Sequence, residues 1–214
     1  MKIIYEDDNI IVVHKEAGEP TQTAKGTVPD LVSMIKVHIA KASKSKGNPY
    51  VGVVHRLDQP VSGLLVFAKD PQSASILSKQ LQKDIMNKIY TATTEGTGIL
   101  RTSGDLIDYM YKDPKLSKSI IVGDTVDSTK NIKKAELYYD VISVNEKEQT
   151  TTLKIVLKTG RFHQIRAQLS NMGFPIVGDV KYGAKRNSSK GILLSAVALD
   201  FVHPKTKKKM HFEL

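Results

Sequence analysis

A single stretch decides how the chain is expected to fold: HRLDQPVSGLLVFAK, residues 55–69. Polar and turn-forming residues fill its first half, between apolar runs at residues 50–54 and 64–68. Runs rich in β-branched and aromatic residues favour strands, whereas Asp, Pro, Ser and Gly favour turns. The stretch therefore predicts two strands joined by a polar loop, and such loops are where functional groups concentrate.

More strands are predicted on either side of this stretch. Short β-branched runs recur at residues 10–13, 89–93 and 192–202. Two longer extended runs, 135–144 and 151–158, are separated by five polar residues, a length that suits a hairpin loop. We therefore expect antiparallel pairing to be common in the sheet.

Three helices are predicted between the strands. The first begins near Pro29-Asp30 and ends in the basic stretch 41–47; its inward residues are Leu31, Ile35 and Ile39. The second follows the N-cap Asp70 and has an apolar face of Ala74, Leu77, Leu81 and Ile85. The third carries Phe162, Ile165, Leu169 and Met172 on its apolar face and ends at Gly173. Strands with interspersed helices predict an α+β protein, in one domain over residues 1–214.

The composition indicates a basic protein without cysteine. Lys and Arg number 32 against 22 Asp and Glu, a formal net charge of +10, which attracts polyanions without selecting a reaction. The absence of cysteine excludes disulfides and thiolate chemistry and favours a reducing compartment, so we expect a cytoplasmic protein. The sequence starts without an apolar signal segment and has no run of membrane-spanning length, so no membrane partner is expected.

Two blocks of residues resemble the RluA family of RNA pseudouridine synthases. Residues 55–58, 62–65 and 67–69 match one signature of that family, and residues 160–166 match another. The second signature continues at residues 173, 175–179 and 182–183, and weaker matches lie at 12–18, 88–92 and 203–204. The whole chain is similar to the family's catalytic domain, and we expect that domain to bind RNA alone, without the S4-like domain of many members. The resemblance implies a largely antiparallel sheet with flanking helices and a central active-site cleft.

This resemblance implies that the chain converts uridine to pseudouridine with Asp58 as the catalytic carboxylate. From residue chemistry alone, Asp58 is equally compatible with a turn residue. A carboxylate beside the sugar stabilises the positive charge that develops when the glycosidic bond breaks, and it serves either as nucleophile or as base. By resemblance, Arg166 pairs with Asp58 and keeps it ionised, and Tyr90 stacks on the uracil. The reaction needs no cofactor and no metal.

The same resemblance implies contacts with folded RNA, either ribosomal or transfer RNA. A stacked uridine must be extruded, and Arg56 is the candidate to occupy the vacated space, while His55 orients the loop. We expect His55, Arg161, His163 and Gln164 to belong to the RNA-binding surface of a monomer. Other candidates for phosphate contacts are Lys41, Lys44, Lys46, Lys181, Lys185, Arg186 and the run at 207–209.

Two residues depart from the family pattern, and other functions remain as alternatives. The family usually has Thr where Val61 stands and Pro where Glu16 stands. A catalytically silent RNA-binding protein with the same fold is the main alternative. A metal-dependent hydrolase is disfavoured because the six histidines have no metal-ligand spacing, and a Ser62 hydrolase because the residues around Ser62 do not form a nucleophile elbow.

Overall fold

The computed structural model of the chain describes residues 1–23, 29–43, 47–99, 101–123, 130–189 and 191–214. The predicted phosphate-contact residues Lys44 and Lys46 lie outside the described residues. The helices are α1 (Leu31–Ser43), α2 (Pro71–Gln82) and α3 (Gln164–Asn171), with a 3₁₀ turn at Val180–Tyr182. The strands are β1 (Lys2–Glu6), β2 (Ile10–Lys15), β3 (Gly52–Val53), β4 (Ser62–Ala68), β5 (Asn87–Glu95), β6 (Ser103–Asp113), β7 (Lys118–Ile121), β8 (Lys133–Asn145), β9 (Thr150–Leu157), β10 (Leu194–Val202) and β11 (Lys209–Glu213).

Backbone contacts divide the chain into two compact units. The first comprises Met1–Lys88 and Ala196–Leu214, and the second comprises Ile89–Ser195. The first unit therefore contains the Asp58 loop, and the second contains Tyr90 and Arg166. That residues 1–214 form one domain stays a prediction. No helix among the described residues is both long and apolar enough to span a membrane.

The sheet of the first unit has the strand order β1-β2-β4-β10, with β3 also on β4 and β11 on β10. Residues 63–68 of β4 are all buried, which explains why this strand has a continuous apolar run instead of an alternating one. Side chains of β2, β4, α2 and β10 form one hydrophobic core, including Val12, Val66, Leu77 and Phe201. The two strands predicted on either side of the polar loop are thus confirmed as β3 and β4.

Helix α2 begins as predicted and ends earlier than predicted. The Asp70 carboxylate accepts hydrogen bonds from the backbone N–H (2.7 Å) and the hydroxyl (2.6 Å) of Ser73, which caps the helix. The helix ends at Gln82, and Asp84 adopts a left-handed conformation with φ 54°. The prediction that Ile85 faces inward is therefore wrong: Ile85 is 46% exposed, and Met86 lies in the core instead.

The sheet of the second unit has the strand order β5-β9-β8-β6-β7, with antiparallel pairing throughout this order. The predicted hairpin is confirmed, because β8 pairs with β9 up to Asn145 and Thr150. The sequence interpretation missed β6 and β7. Exposed and half-buried residues alternate along most of β6, so Asp, Lys and Ser interrupt the apolar pattern that reveals a strand.

Helix α3 is confirmed, but one residue assigned to its apolar face is not part of it. His163 has a left-handed conformation (φ 51°) and caps the helix, so the helical residues begin at Gln164. Phe162 therefore precedes the helix and is 38% exposed, and the prediction that it faces inward is wrong. Gly173, with φ 89°, follows the C-cap as predicted.

Candidate active site

The loop that carries Asp58 is anchored on both sides of this residue. The Asp58 carbonyl accepts a hydrogen bond from the Val61 N–H (3.0 Å), which closes a turn over Gln59 and Pro60. The hydroxyl of Thr21 donates to the carbonyl of the preceding Leu57 (3.0 Å), whose side chain is buried. Asp58 itself is half-buried. The loop thus holds a carboxylate at a fixed place on the rigid sheet of the first unit.

A fully buried lysine fastens this loop to the end of β2. The Lys15 ammonium donates to the backbone carbonyls of Glu16 (2.9 Å), Glu19 (2.7 Å) and Gln59 (2.9 Å), which uses all three of its donors. Burial lowers the pKa of Lys15 to about 8, although the carboxylates of Glu19 and Asp58 act in the opposite direction. The attraction is mutual, so the Lys15 charge favours the ionised form of Asp58.

The two residues that open the loop have different environments. His55 is buried, and its Nε2 accepts a hydrogen bond from the Val66 N–H (3.4 Å). Burial, together with the charge of Lys88, lowers the pKa of His55 to about 3, so the imidazole is neutral. Its Nδ1 has no hydrogen-bond partner among the described residues. Arg56 is exposed, and its guanidinium donates to Oε1 of Gln22 (2.8 Å). The RNA contacts of both residues stay predictions.

In the second unit, Arg166 makes a bidentate salt bridge with Asp179. Its Nε lies 2.7 Å from Oδ2 and its Nη2 lies 2.8 Å from Oδ1, and both residues are buried. A buried guanidinium and carboxylate paired in this way have a fixed orientation. The guanidinium also lies over the ring of Tyr182, 5.0 Å from its centroid. The sequence interpretation did not identify Asp179 as a partner of Arg166, although Asp179 lies in a matched segment. The pairing of Arg166 with Asp58 stays a prediction.

The remaining predicted site residues of the second unit lie on β5 and around the start of α3. Tyr90 is buried in β5, opposite Ile155 of β9. Gln164 is buried; its amide oxygen accepts from the Thr159 hydroxyl (2.8 Å), and its amide nitrogen donates to the Glu136 carbonyl (3.1 Å). Gln164 therefore fixes the helix start to β8. The roles predicted for Tyr90 and Gln164 in substrate and RNA binding stay predictions.

Two basic residues, Arg161 and His163, precede the start of α3. The Arg161 side chain donates from Nε to the carbonyl of Lys134 (2.8 Å). The Nδ1 of His163 lies 3.0 Å from the hydroxyl of Tyr182, and burial together with the Arg166 charge lowers the pKa of His163 to about 3. His163 is therefore neutral, and its RNA contact would be made without a positive charge. The RNA contacts of Arg161 and His163 stay predictions.

Comparison with known proteins identifies the family. Residues 9–171 match the family described as RNA pseudouridylate synthase. The chain belongs to this family. The uncharacterized RNA pseudouridine synthase YlyB of Bacillus subtilis (strain 168) is 34% identical over 216 residues, covering 100% of this chain and 68% of that protein. The tRNA pseudouridine synthase C of Haemophilus ducreyi (strain 35000HP / ATCC 700724) is 30% identical over 227 residues, covering 98% and 88%.

Another relative and a solved structure extend the comparison. The ribosomal large subunit pseudouridine synthase D of Zymomonas mobilis subsp. mobilis (strain ATCC 31821 / ZM4 / CP4) is 30% identical over 224 residues, covering 100% of this chain and 68% of that protein. The structure of human RNA Pseudouridylate Synthase Domain Containing 4 superposes with a TM-score of 0.78 at 20% identity, covering 100% of this chain and 87% of that one. The predicted α+β fold is thus confirmed.

The RluA-type resemblance is likewise confirmed, and the chain is an RNA pseudouridine synthase. At one position where the chain departs from the pseudouridine synthase pattern, Glu16, the structure shows a contact that the usual proline could not make. The N–H of Glu16 donates to the Glu19 carboxylate (3.0 Å). The other departure, Val61, is a buried apolar residue in the turn after Asp58. Both lie in the segments that the Lys15 ammonium joins.

Proposed function

We propose that this synthase isomerises specific uridines in structured ribosomal or transfer RNA, with Asp58 as its catalytic carboxylate and without a cofactor. The observation that carries the proposal is the anchored loop around Asp58, in which a half-buried carboxylate lies near the buried Lys15 charge. Relatives named for the ribosomal large subunit and for tRNA support these two RNA classes.

Pseudouridine formation breaks the bond between uracil N1 and the sugar and joins uracil C5 to the same sugar carbon. The proton on C5 leaves and N1 gains one, so no atom and no electron is added overall. Positive charge develops on the sugar as the first bond breaks, and an ionised carboxylate stabilises that charge or traps it covalently. Asp58 performs this step as nucleophile or as base. The Lys15 ammonium supports the step by keeping Asp58 ionised and its loop in place.

In our proposal, Arg166 and Tyr90 assist the same step. Arg166 supplies a positive charge that pairs with the Asp58 carboxylate, and its salt bridge with Asp179 fixes the direction of the guanidinium. Tyr90 offers an aromatic ring on which the uracil stacks while it is detached from the sugar. Stacking on a ring permits the uracil to rotate in its own plane, which is one way to bring C5 to the position that N1 has left.

The proposed reaction is tested with purified protein and total RNA, without added metal ion or nucleotide. We expect pseudouridine to appear at a small number of uridines, read by chemical mapping of the RNA before and after incubation. Mapping RNA from cells with and without the gene then identifies the target. Modification of RNA that requires an added metal ion or nucleotide would contradict the cofactor-free mechanism.

Arg56→Ala is expected to slow the reaction more on structured RNA than on a flexible single strand. A stacked and paired uridine must be extruded at a cost of a few kcal/mol, and the exposed Arg56 side chain can fill the space it leaves once its hydrogen bond to Gln22 is released. The measurement is kcat/KM on a stem-loop and on an unstructured oligonucleotide of the same sequence context. Arg101→Ala removes another exposed arginine and is the matched control. Equal losses on both substrates would remove the extrusion role.

A further inference from the structure

An exposed aromatic ring lies between a histidine and a lysine at the start of α3. The rings of Phe162 and His163 are stacked, with centroids 3.8 Å apart and planes inclined by 20°. The Lys112 ammonium lies over the Phe162 ring, 4.5 Å from its centroid. Because the two rings are too close to admit an ammonium between them, Lys112 covers the opposite face. Phe162 therefore has one face occupied by protein and one covered by an exposed side chain.

Hydrogen bonds to the backbone of Phe162 and to the neighbouring His163 hold the ring in place. The hydroxyl of Ser119 donates to the Phe162 carbonyl, and the Ser119 N–H donates to the hydroxyl of Tyr182 (2.7 Å). The same hydroxyl is hydrogen-bonded to Nδ1 of His163 (3.0 Å). The backbone and the inner face of Phe162 are thus fixed to β7 and to the 3₁₀ turn. A fixed ring loses little conformational freedom when a ligand stacks on it.

Two more lysines lie beside the segments that hold Phe162. Lys118 lies over the Tyr182 ring at 5.6 Å, and Lys181 donates to the carbonyl of Ser117 (3.1 Å). Asp113 accepts the N–H groups of Lys115 and Leu116, and Asp179 pairs with Arg166. Arg166 balances the charge of Asp179, and the backbone N–H groups do not balance that of Asp113, so lysines 112, 118 and 181 stand against one unbalanced carboxylate among these groups.

We propose that Phe162, Lys112, Lys118 and Lys181 form a binding site for an unpaired nucleotide of the substrate RNA, other than the uridine that reacts. The nucleobase stacks on the face of Phe162 that Lys112 covers, and Lys112 moves aside because a cation–π contact at an exposed site is weak. The lysines then bind the phosphates on either side. This site rests on the proposed function only in taking RNA as the ligand. It favours a substrate with a single-stranded segment, because a paired base cannot present its face.

The chain has no tryptophan, so Phe162→Trp introduces a single fluorophore at the proposed site. We expect its fluorescence to be quenched saturably by a stem-loop RNA with a single-stranded loop, and not by a fully paired duplex. Tyr109 and Lys112 lie on opposite faces of β6, because side chains alternate along a strand. Tyr109→Trp therefore places the fluorophore away from the proposed site and should show no quenching. Phe162→Leu should weaken stem-loop binding about 5- to 100-fold, and Phe162→Tyr should retain it.

Lys112→Gln and Lys118→Gln should each lower the salt dependence of binding, whereas the exposed Lys154→Gln should leave it unchanged. Pseudouridine formation is measured in parallel on the same RNA. Two results would overturn the nucleotide site alone, provided that product forms and the stem-loop binds. One is the absence of quenching at position 162, and the other is full affinity of the Phe162→Leu variant. Quenching and weakened binding without product would retain this site and overturn the proposed reaction. Absence of both binding and product would overturn both.

Discussion

Asp58→Asn should lower kcat for pseudouridine formation by about 10³-fold or more, the scale at which loss of a catalytic carboxylate is felt. Asparagine has nearly the same size and keeps a side-chain oxygen. It has no negative charge to stabilise the sugar, and its amide is a poor nucleophile and a poor base. Binding of stem-loop RNA should change little. A large loss of kcat with retained affinity therefore separates chemistry from folding and from RNA binding.

The matched control is Asp8→Asn, which removes the charge of an exposed aspartate in the same unit. It should leave both kcat and urea unfolding as in the unaltered protein. The Asp58 variant should also unfold at nearly the same urea concentration, because its loop is held by backbone hydrogen bonds of Leu57, Gln59 and Val61. Full activity of Asp58→Asn would exclude Asp58 from the mechanism.

Most strands with continuous or β-branched apolar runs were predicted from the sequence, whereas β1, with its short apolar run at residues 3–5, and the strands that alternate with charge were not. The run 64–68 and the hairpin ending at Asn145 and Thr150 appear where expected, because burial or a polar turn leaves a clear pattern. Strand β6 carries Asp105, Asp108 and Lys112 among its apolar residues, so only pairing with β8 and β7 establishes it. Ile85 and Phe162 were misplaced because a single left-handed residue changes the direction of the chain.

The candidate site residues stay predictions, and the contacts that hold them in place could not be read from the sequence. Asp58 and Arg166 stand in recognisable segments, but nothing local shows that Arg166 is held by Asp179, thirteen residues further along the chain. Lys15 resembles an ordinary surface lysine in the sequence, yet it is fully buried. Its three acceptors are backbone carbonyls, which any residue supplies, so no pattern in the side chains reveals them.

Gly63 is the residue of the 55–69 stretch whose substitution should destabilise the fold most. It has φ 126°, a conformation that L side chains rarely adopt, and it pairs with Lys15 in the β2–β4 ladder. A Cβ at this position would lie 2.7 Å from the Cα of Ala196 and would overlap the nitrogen and oxygen of the same residue. Backbone atoms of a paired strand cannot turn away as a side chain can. Only glycine therefore permits β10 to approach β4 here.

Gly63→Ala should lower the free energy of unfolding by about 2–5 kcal/mol, the sum of conformational strain and overpacking. That is a large part of the total stability of about 5–15 kcal/mol of a typical domain, and urea unfolding measures it. Gly18→Ala is the matched control: its φ is also positive, at 91°, but no described atom lies within 4 Å of a Cβ built there. It should lose only the strain, about 1–2 kcal/mol. Equal losses in the two variants would show that β10 does not approach Gly63 so closely. A larger loss for Gly63 would show that this glycine is required by the close approach of β10 to the strand that follows Asp58.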